Sequence, residues 1–233
     1  MNSMKDQETI REELKKLLVT SVKKFYEQDG QLVNDDLCER ALTFRIGLQL
    51  AKAIENSNRR YGDVHSEFNK AYDEVIGVSE KSIFLPHGRL KKINYPDLLL
   101  FSHDVGNKII IEIKKLNKLQ KKDYIYEDIS KLWAFTHPFN EIQYFSFYYH
   151  YPLGAHLILE NDMFLVIWYV DASIETSDIY LFNNKDNIWL EKHNINLHRT
   201  KKIKNIYTHE VCGRIPAYTC SDIKSVLKNL VKS

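Results

Sequence analysis

The sequence predicts an α/β fold: a mixed central sheet flanked by helices, with a helical addition before the core and a β/α addition after it. Three observations predict it. Apolar residues recur at intervals of three and four near both ends of the chain. Short apolar and aromatic runs bounded by turn residues fill the middle. The elements follow one another as helices, strands, a helix, more strands and a last helix. The 233 residues suit one large domain or a core with additions. An apolar share of 44% with only 8 Gly and 5 Pro excludes a loop-rich or disordered chain.

Taken in order, residues 6–27 read as an amphipathic helix carrying Ile10, Leu14, Leu17, Leu18, Ser21 and Phe25 on one face, broken by "DGQ". A second helix is predicted from Asp36 to Ile54, capped by Asn34 or Asp35, with Leu37, Ala41, Leu42, Phe44, Leu48, Ala51 and Ile54 as its apolar set. Alternation through Val64, Ser66, Phe68 and Lys70 predicts a strand over Asp63–Tyr72. Residues 73–93, with Gly77, Pro86 and Gly88, read as an irregular excursion. Strands Tyr95–Phe101 and Lys108–Lys114 follow, joined through "SHDVGN" as a hairpin. A helix over 123–137 buries Ile125, Ile129, Leu132, Trp133 and Phe135 and ends at Pro138. Strands are predicted at Gln143–Tyr149, Ala155–Glu160, Phe164–Val170 and Asp178–Phe182, with a short one near Asn187–Leu190. The last helix, Asp222–Val231, starts at Ser221 and buries Ile223, Val226, Leu227 and Leu230.

Three cysteines, Cys38, Cys212 and Cys220, make no disulfide framework and point to a reducing cytoplasm. The polar start "MNSMKDQETI" is not a signal peptide, and the longest apolar run, "MFLVIWYV", is too short to span a bilayer, so no membrane partner is expected. The net charge is only +2, but residues 89–122 hold 9 Lys+Arg against 3 Asp+Glu. Such a local basic excess suits a phosphate backbone.

The hairpin "YPDLLLFSHDVGNKIIIEIKK" carries the chemistry. Strand residues alternate sides, so Glu112 and Lys114 share one face while Ile111 and Ile113 take the other. Burying Ile109, Ile111 and Ile113, worth roughly 1.5–3 kcal/mol each, fixes the register. Asp97 opens the partner strand after Pro96, which places it close to Glu112 and Lys114. Two adjacent carboxylates repel unless a positive group lies between them. A hydrated Mg²⁺, which needs only one or two carboxylates, meets that requirement and polarises a phosphodiester. Lys114 then positions water or stabilises developing charge.

"PD", fourteen intervening residues and "EIK" resemble the PD-(D/E)XK nuclease superfamily. "ERALTFRIGLQL" (39–50) is similar to the Glu-Arg helix preceding the core of small bacterial and phage-type members. "HSEFNK" (65–70) is similar to their first core strand, and "EDISKLWAF" (127–135) to the helix after the Glu-x-Lys strand. The resemblance implies a restriction-endonuclease-like core over residues 34–170, preceded by a helical extension (1–33) and followed by a β/α extension (171–233) packed on it. It implies Asp97, Glu112 and Glu39 as metal ligands, Lys114 as the catalytic lysine, and Mg²⁺ as cofactor with Mn²⁺ as substitute. Thr43 and Ile46 on the face of Glu39 bring that turn toward the sheet. Phe44 departs from the pattern, standing where related sequences often have histidine.

Candidate phosphate contacts are Arg89, Lys91, Lys92, Lys115, Lys118, Lys121, Lys122 and Lys131, which position nucleic acid without reading its sequence. For Lys131 the alternative to a phosphate contact is an ion pair with Asp128 on the helix surface. Glu67 and Asn69 share a strand face that reaches the site. "HRTKKIK" (198–204) is a second basic cluster, and "YFSFYYHY" (144–151) reads as strand core rather than a stacking platform. His209, Cys212 and Cys220 have an unfamiliar spacing for zinc. The expected function is a Mg²⁺-dependent nuclease acting on DNA in phage defence or repair, as a homodimer if both strands are cut. The alternatives are an inactive nuclease-fold module that binds nucleic acid or scaffolds, and a nuclease acting on RNA.

Overall fold

Sheet strands form where β-branched and aromatic residues run together, and helices where the apolar period is 3.6. The computed structural model describes residues 2–35, 38–57, 61–66, 70–73, 77–80, 83–84, 90–91, 96–102, 106–117, 122–137, 150–183, 186, 188–197, 200–204, 211–216 and 218–230. The helices are α1 (Asn2–Asp29), α2 (Gln31–Asn34), α3 (Glu39–Glu55), α4 (Lys122–Thr136) and α5 (Cys220–Leu230). The strands before α4 are β1 (Asp63–Ser66), β2 (Lys70–Asp73), β3 (Gly77–Glu80), β4 (Ile83–Phe84), β5 (Leu90–Lys91), β6 (Leu98–Ser102) and β7 (Gly106–Lys115). Those after it are β8 (Leu153–Glu160), β9 (Met163–Val170), β10 (Ser173–Asn183), β11 (Ile188–Asn194), β12 (Thr200–Lys204) and β13 (Val211–Pro216).

Seven strands form one sheet in the order β1-β6-β7-β8-β9-β10-β11. All neighbours are antiparallel except β7 and β8, which run parallel because α4 lies in the crossover between them. Ile109, Ile111 and Ile113 pack with Leu14, Leu18, Phe25, Leu42 and Ile46 of α1 and α3 on one face. Ile110, Ile158 and Ile167 pack with Ile129, Leu132 and Phe135 of α4 and Ile223 of α5 on the other. The α/β class and the mixed sheet between helices are therefore as the periodicities predict. Among the described residues, no helix is long and apolar enough to cross a membrane.

Several elements differ from expectation. The helix expected from Asp36 starts at Glu39, after Cys38, whose side chain makes no capping bond; Asn34 belongs instead to α2. On α3, Phe44 is 64% exposed and Leu48 37%, because Leu42, Ile46 and Leu50 define the buried stripe. The strand expected over 63–72 is the short β1, with β2 beginning at Lys70. The excursion over 73–93 contains β3, β4 and β5, in the two-stranded ladders β2–β3 and β4–β5. The basic cluster at 198–204 contains β12, paired with β13, a hairpin the lysines conceal. The strand expected at Gln143–Tyr149 lies outside the described residues. The last helix begins close to where its pattern predicts, and Thr219 and Asp222 cap it reciprocally, with Asp222 Oδ2 accepting from the Thr219 N–H at 2.9 Å.

Gly154 lets α4 sit on the sheet. A Cβ there meets Thr136 Cγ2 at 2.9 Å and Tyr169 Cβ at 3.1 Å. Gly154→Ala is therefore expected to lower stability by about 1–3 kcal/mol, read as a lower urea midpoint at unchanged slope.

Candidate active site

β6 pairs with β7 in the register Leu98↔Ile111, so Asp97, one position before Leu98, falls beside the end of β7. Its Oδ2 accepts a hydrogen bond from the Ile113 N–H at 2.6 Å. Ile113 faces the α1–α3 layer, so Glu112 and Lys114 face α4 together. From α3, Glu39 reaches the same end of β7: its Oε2 is 3.2 Å from Lys114 Nζ, and its Oε1 accepts from the Lys115 N–H at 3.5 Å. The four residues singled out from the sequence, Glu39, Asp97, Glu112 and Lys114, thus gather around one strand end.

α4 adds two more. Lys131 Nζ donates to Glu112 Oε2 at 2.9 Å and lies 3.6 Å from Asp128 Oδ1. Asp128 Oδ2 is 3.7 Å from Lys114 Nζ. In the Asp128–Lys131 pair expected on the helix surface, Asp128 is buried and Lys131 partly buried, because their face of α4 packs against β7 and β8. Lys131 is accordingly partly buried and paired with Glu112 and Asp128. Lys115 is 3% exposed and stands on the opposite face of β7, which removes it from the exposed basic surface. Of the other proposed contacts, Lys91 lies in β5 and Lys122 opens α4. Arg89, Lys92, Lys118 and Lys121 lie outside the described residues, as do Glu67, Asn69 and His209.

His156, absent from the sequence reading, stands opposite Glu112 across the parallel β7–β8 pair and is fully buried. Its Nδ1 hydrogen-bonds the Tyr218 hydroxyl, to which the Tyr169 hydroxyl donates at 2.7 Å. His156 Nε2 lies 3.8 Å from Asp128 Oδ2. The only signal was one polar residue inside the apolar run "LGAHLILE".

Burial and mutual repulsion set the charges. Burial pushes the Glu112 carboxyl well above its usual range, against Lys131, while Asp97 and Asp128 push it further. Asp128 is pushed up to about 6, again chiefly by burial, opposed by Lys114 and Lys131. Burial thus favours the protonated form of both Glu112 and Asp128, while the Lys131 ammonium beside them opposes it. Burial raises Asp97 too, against Lys114 and the Ile113 N–H. Burial disfavours the Lys114 ammonium, yet Asp128, Asp97, Glu39 and Glu112 together outweigh it and hold that lysine charged. Burial, then Lys114 and Lys131, push the His156 ring down to about 3, so it is neutral.

These two titrations oppose each other. The unfolded His156 ring takes up a proton below about 6.5 while the folded one does not, so its contribution is present above that pH and lost as pH falls toward 3. Asp128 contributes below its unfolded pKa near 3.9, and that contribution is lost as pH rises through about 6. Between pH 6 and 5, His156→Gln should gain stability relative to the parent protein by about 1 kcal/mol per pH unit, and Asp128→Asn should lose a similar amount. Urea titrations at pH 7, 6 and 5 read both slopes. Parallel curves for all three proteins would refute this assignment of the titrating groups.

The donor set suits a hard cation. Four carboxyls, Glu39, Asp97, Glu112 and Asp128, face two ammoniums, Lys114 and Lys131, a formal charge of −2 when all are ionised. Glu112 Oε1 is buried and has no hydrogen-bond partner among the described residues. Among the described residues, no group of three or more His, Cys, Asp or Glu side chains is placed to hold an ion. The acids that would hold such an ion are Asp97, Glu112 and Glu39, all at this strand end, and Mg²⁺ needs only one or two carboxylates with water. Glu39 is engaged by Lys114 and the end of β7.

An α/β protein with a buried carboxylate–lysine cluster at the end of a central hairpin is the class that fold and site define. No family model, curated protein or solved structure matches the chain.

Proposed function

We propose that the chain is a metal-dependent nuclease with a restriction-endonuclease-like core of the PD-(D/E)XK type, hydrolysing phosphodiester bonds in DNA. The observation that carries this reading is the gathering of Asp97, Glu112 and Lys114 at one strand end with Glu39, which lies 75 residues from Lys114 in sequence. The order α3, β1, β6, β7, α4, β8, with β8 parallel to β7, supports it, since it supplies the helix, hairpin and crossover the motif requires.

Asp97 and Glu112 would hold Mg²⁺ or Mn²⁺. When bound, the ion supplies Lewis-acid activation of the phosphodiester and of a water. Lys114, held charged by its four acidic neighbours, stabilises negative charge developing on the phosphate oxygens and is no general base. Glu39 fixes where the Lys114 ammonium points, and Lys131 with Asp128 fixes the Glu112 carboxyl.

Purified protein should be incubated with supercoiled, linear and single-stranded DNA and with RNA, in Mg²⁺, Mn²⁺ or EDTA. DNA cleavage that requires the metal and is lost in Asp97→Ala is the expected result. Failure to cut any substrate under any of these conditions would overturn the proposal, and a preference for RNA would correct its substrate.

A further inference from the structure

The proposed reaction gives no part to the buried ring of His156, yet that ring is built into the site on both sides. Glu112 and Lys114 of β7 and His156 of β8 share the sheet face that α4 covers. On one side of the ring, the Tyr169 hydroxyl donates to the Tyr218 oxygen at 2.7 Å, and the Tyr218 hydroxyl meets His156 Nδ1. A hydroxyl has one proton to give. That of Tyr169 goes to Tyr218, and that of Tyr218 goes to Nδ1, its other described partner. Nδ1 is then an acceptor, and a neutral imidazole that accepts at one nitrogen carries its proton on the other, here Nε2.

On the other side, His156 Nε2 lies 3.8 Å from Asp128 Oδ2, and Lys114 Nζ lies 3.7 Å from the same oxygen. Both distances are longer than a hydrogen bond. Nε2 and Oδ2 are buried and have no hydrogen-bond partner among the described residues. A buried donor and acceptor facing each other unpaired call for a reason beyond folding. Asp128 also has a competing attachment, since its Oδ1 lies 3.6 Å from Lys131 on its own helix. Turned wholly toward Lys131, Asp128 would give up its hold on the Lys114 ammonium. An N–H from β8 offers Oδ2 a donor beside Lys114 and adds no positive charge to the site.

We propose that His156 is a positioning residue for Lys114: its Nε2–H, set by Tyr218 and Tyr169, keeps Asp128 Oδ2 turned toward the Lys114 ammonium. The kinetic consequence rests on the nuclease reading; the geometry is tested without it. Long-range proton–nitrogen correlation spectra of ¹⁵N-labelled protein at pH 7 report which ring nitrogen of His156 is protonated, the residue being assigned by its loss in His156→Gln. The parent protein should show the Nε2–H form, and Tyr218→Phe should show a mixture. The lysine ammonium signals are recorded on the same samples, that of Lys114 being assigned by its loss in Lys114→Met. It should shift in His156→Leu and change little in His156→Gln, whose amide can place an N–H where Nε2 places its own.

Cleavage in Mg²⁺ is then measured for the same proteins. His156→Leu should lower kcat about 10–100-fold with KM within about twofold of the parent's. His156→Gln should recover most of that loss. Tyr218→Phe, which removes one oxygen and keeps the ring, serves if His156→Leu misfolds, and it too should lower kcat rather than raise KM. The Nδ1–H form in the parent protein, a Lys114 signal indifferent to His156→Leu, an unchanged kcat in that variant, or equal losses in the Leu and Gln variants would overturn the positioning role. If none of the proteins cuts, the nuclease reading falls, and the ring form with the Lys114 signal still decides the positioning.

Discussion

Lys114→Met should slow phosphodiester cleavage by about 10²–10³-fold while leaving the protein folded and able to bind DNA. The methionine keeps the apolar stem and removes only the ammonium. That ammonium lies 3.2 Å from Glu39 and 3.7 Å from Asp128, inside a site whose carboxyls outnumber its lysines. Its acidic neighbours hold it charged, so under the proposed function it would serve as a fixed positive charge. Two consequences distinguish this from a proton-transfer role. The loss should fall on kcat rather than on DNA affinity, because the charge acts most on the transition state. The parent protein's rate should also show no lysine titration between pH 7 and 9. Lys114→Arg should recover little, since a planar guanidinium cannot reproduce the position of a compact ammonium. A rate that rises with a pKa inside that window, and loses it in Lys114→Met, would sink the electrostatic assignment.

How much of this site was legible in the sequence follows from what each residue's position depends on. Asp97, Glu112 and Lys114 lie on one hairpin, and the apolar run Ile109–Ile113 sets its register locally, so strand alternation alone placed them. Glu39 depended on resemblance to a family pattern, because Thr43 and Ile46 on its helix face point that turn toward the sheet but do not say that it meets the end of β7. His156 lies opposite Glu112 through the parallel β7–β8 pairing, a register set by the crossover through α4 and invisible in either strand alone. Tyr218 comes from the segment before α5, which the sequence assigns to an addition, yet its hydroxyl bonds His156 within the site network. The lysines show a similar limit. Charge counting grouped Lys115 and Lys131 with the basic excess, but strand alternation buries one on the far face of β7, and helix packing partly buries the other against Glu112.

Glu112→Ala should destabilise the protein by about 3–5 kcal/mol, the largest single-residue effect on stability expected at this site. Glu112 is fully buried and Lys131 Nζ donates to it at 2.9 Å, so truncation removes that acceptor from an ammonium that also lies 3.6 Å from Asp128. Much of the cost comes from weakening the neutralisation of the Lys131 ammonium, because a largely desolvated charge that loses an acceptor keeps its desolvation penalty. Glu112→Gln should therefore cost clearly less: its side-chain oxygen still accepts from Lys131. The decisive variant removes both partners. Glu112→Leu/Lys131→Met replaces the pair with apolar groups of similar reach and should recover most of the stability lost in Glu112→Ala. The same double variant should cut no DNA, since it lacks one of the two carboxylates that would hold the metal. Recovered stability without activity would show that the pair is kept for chemistry and not for folding. Urea unfolding of the four proteins at pH 7 measures the stabilities. A double variant no more stable than Glu112→Ala would show that the network beyond the pair, Asp128 and His156 included, requires both charges.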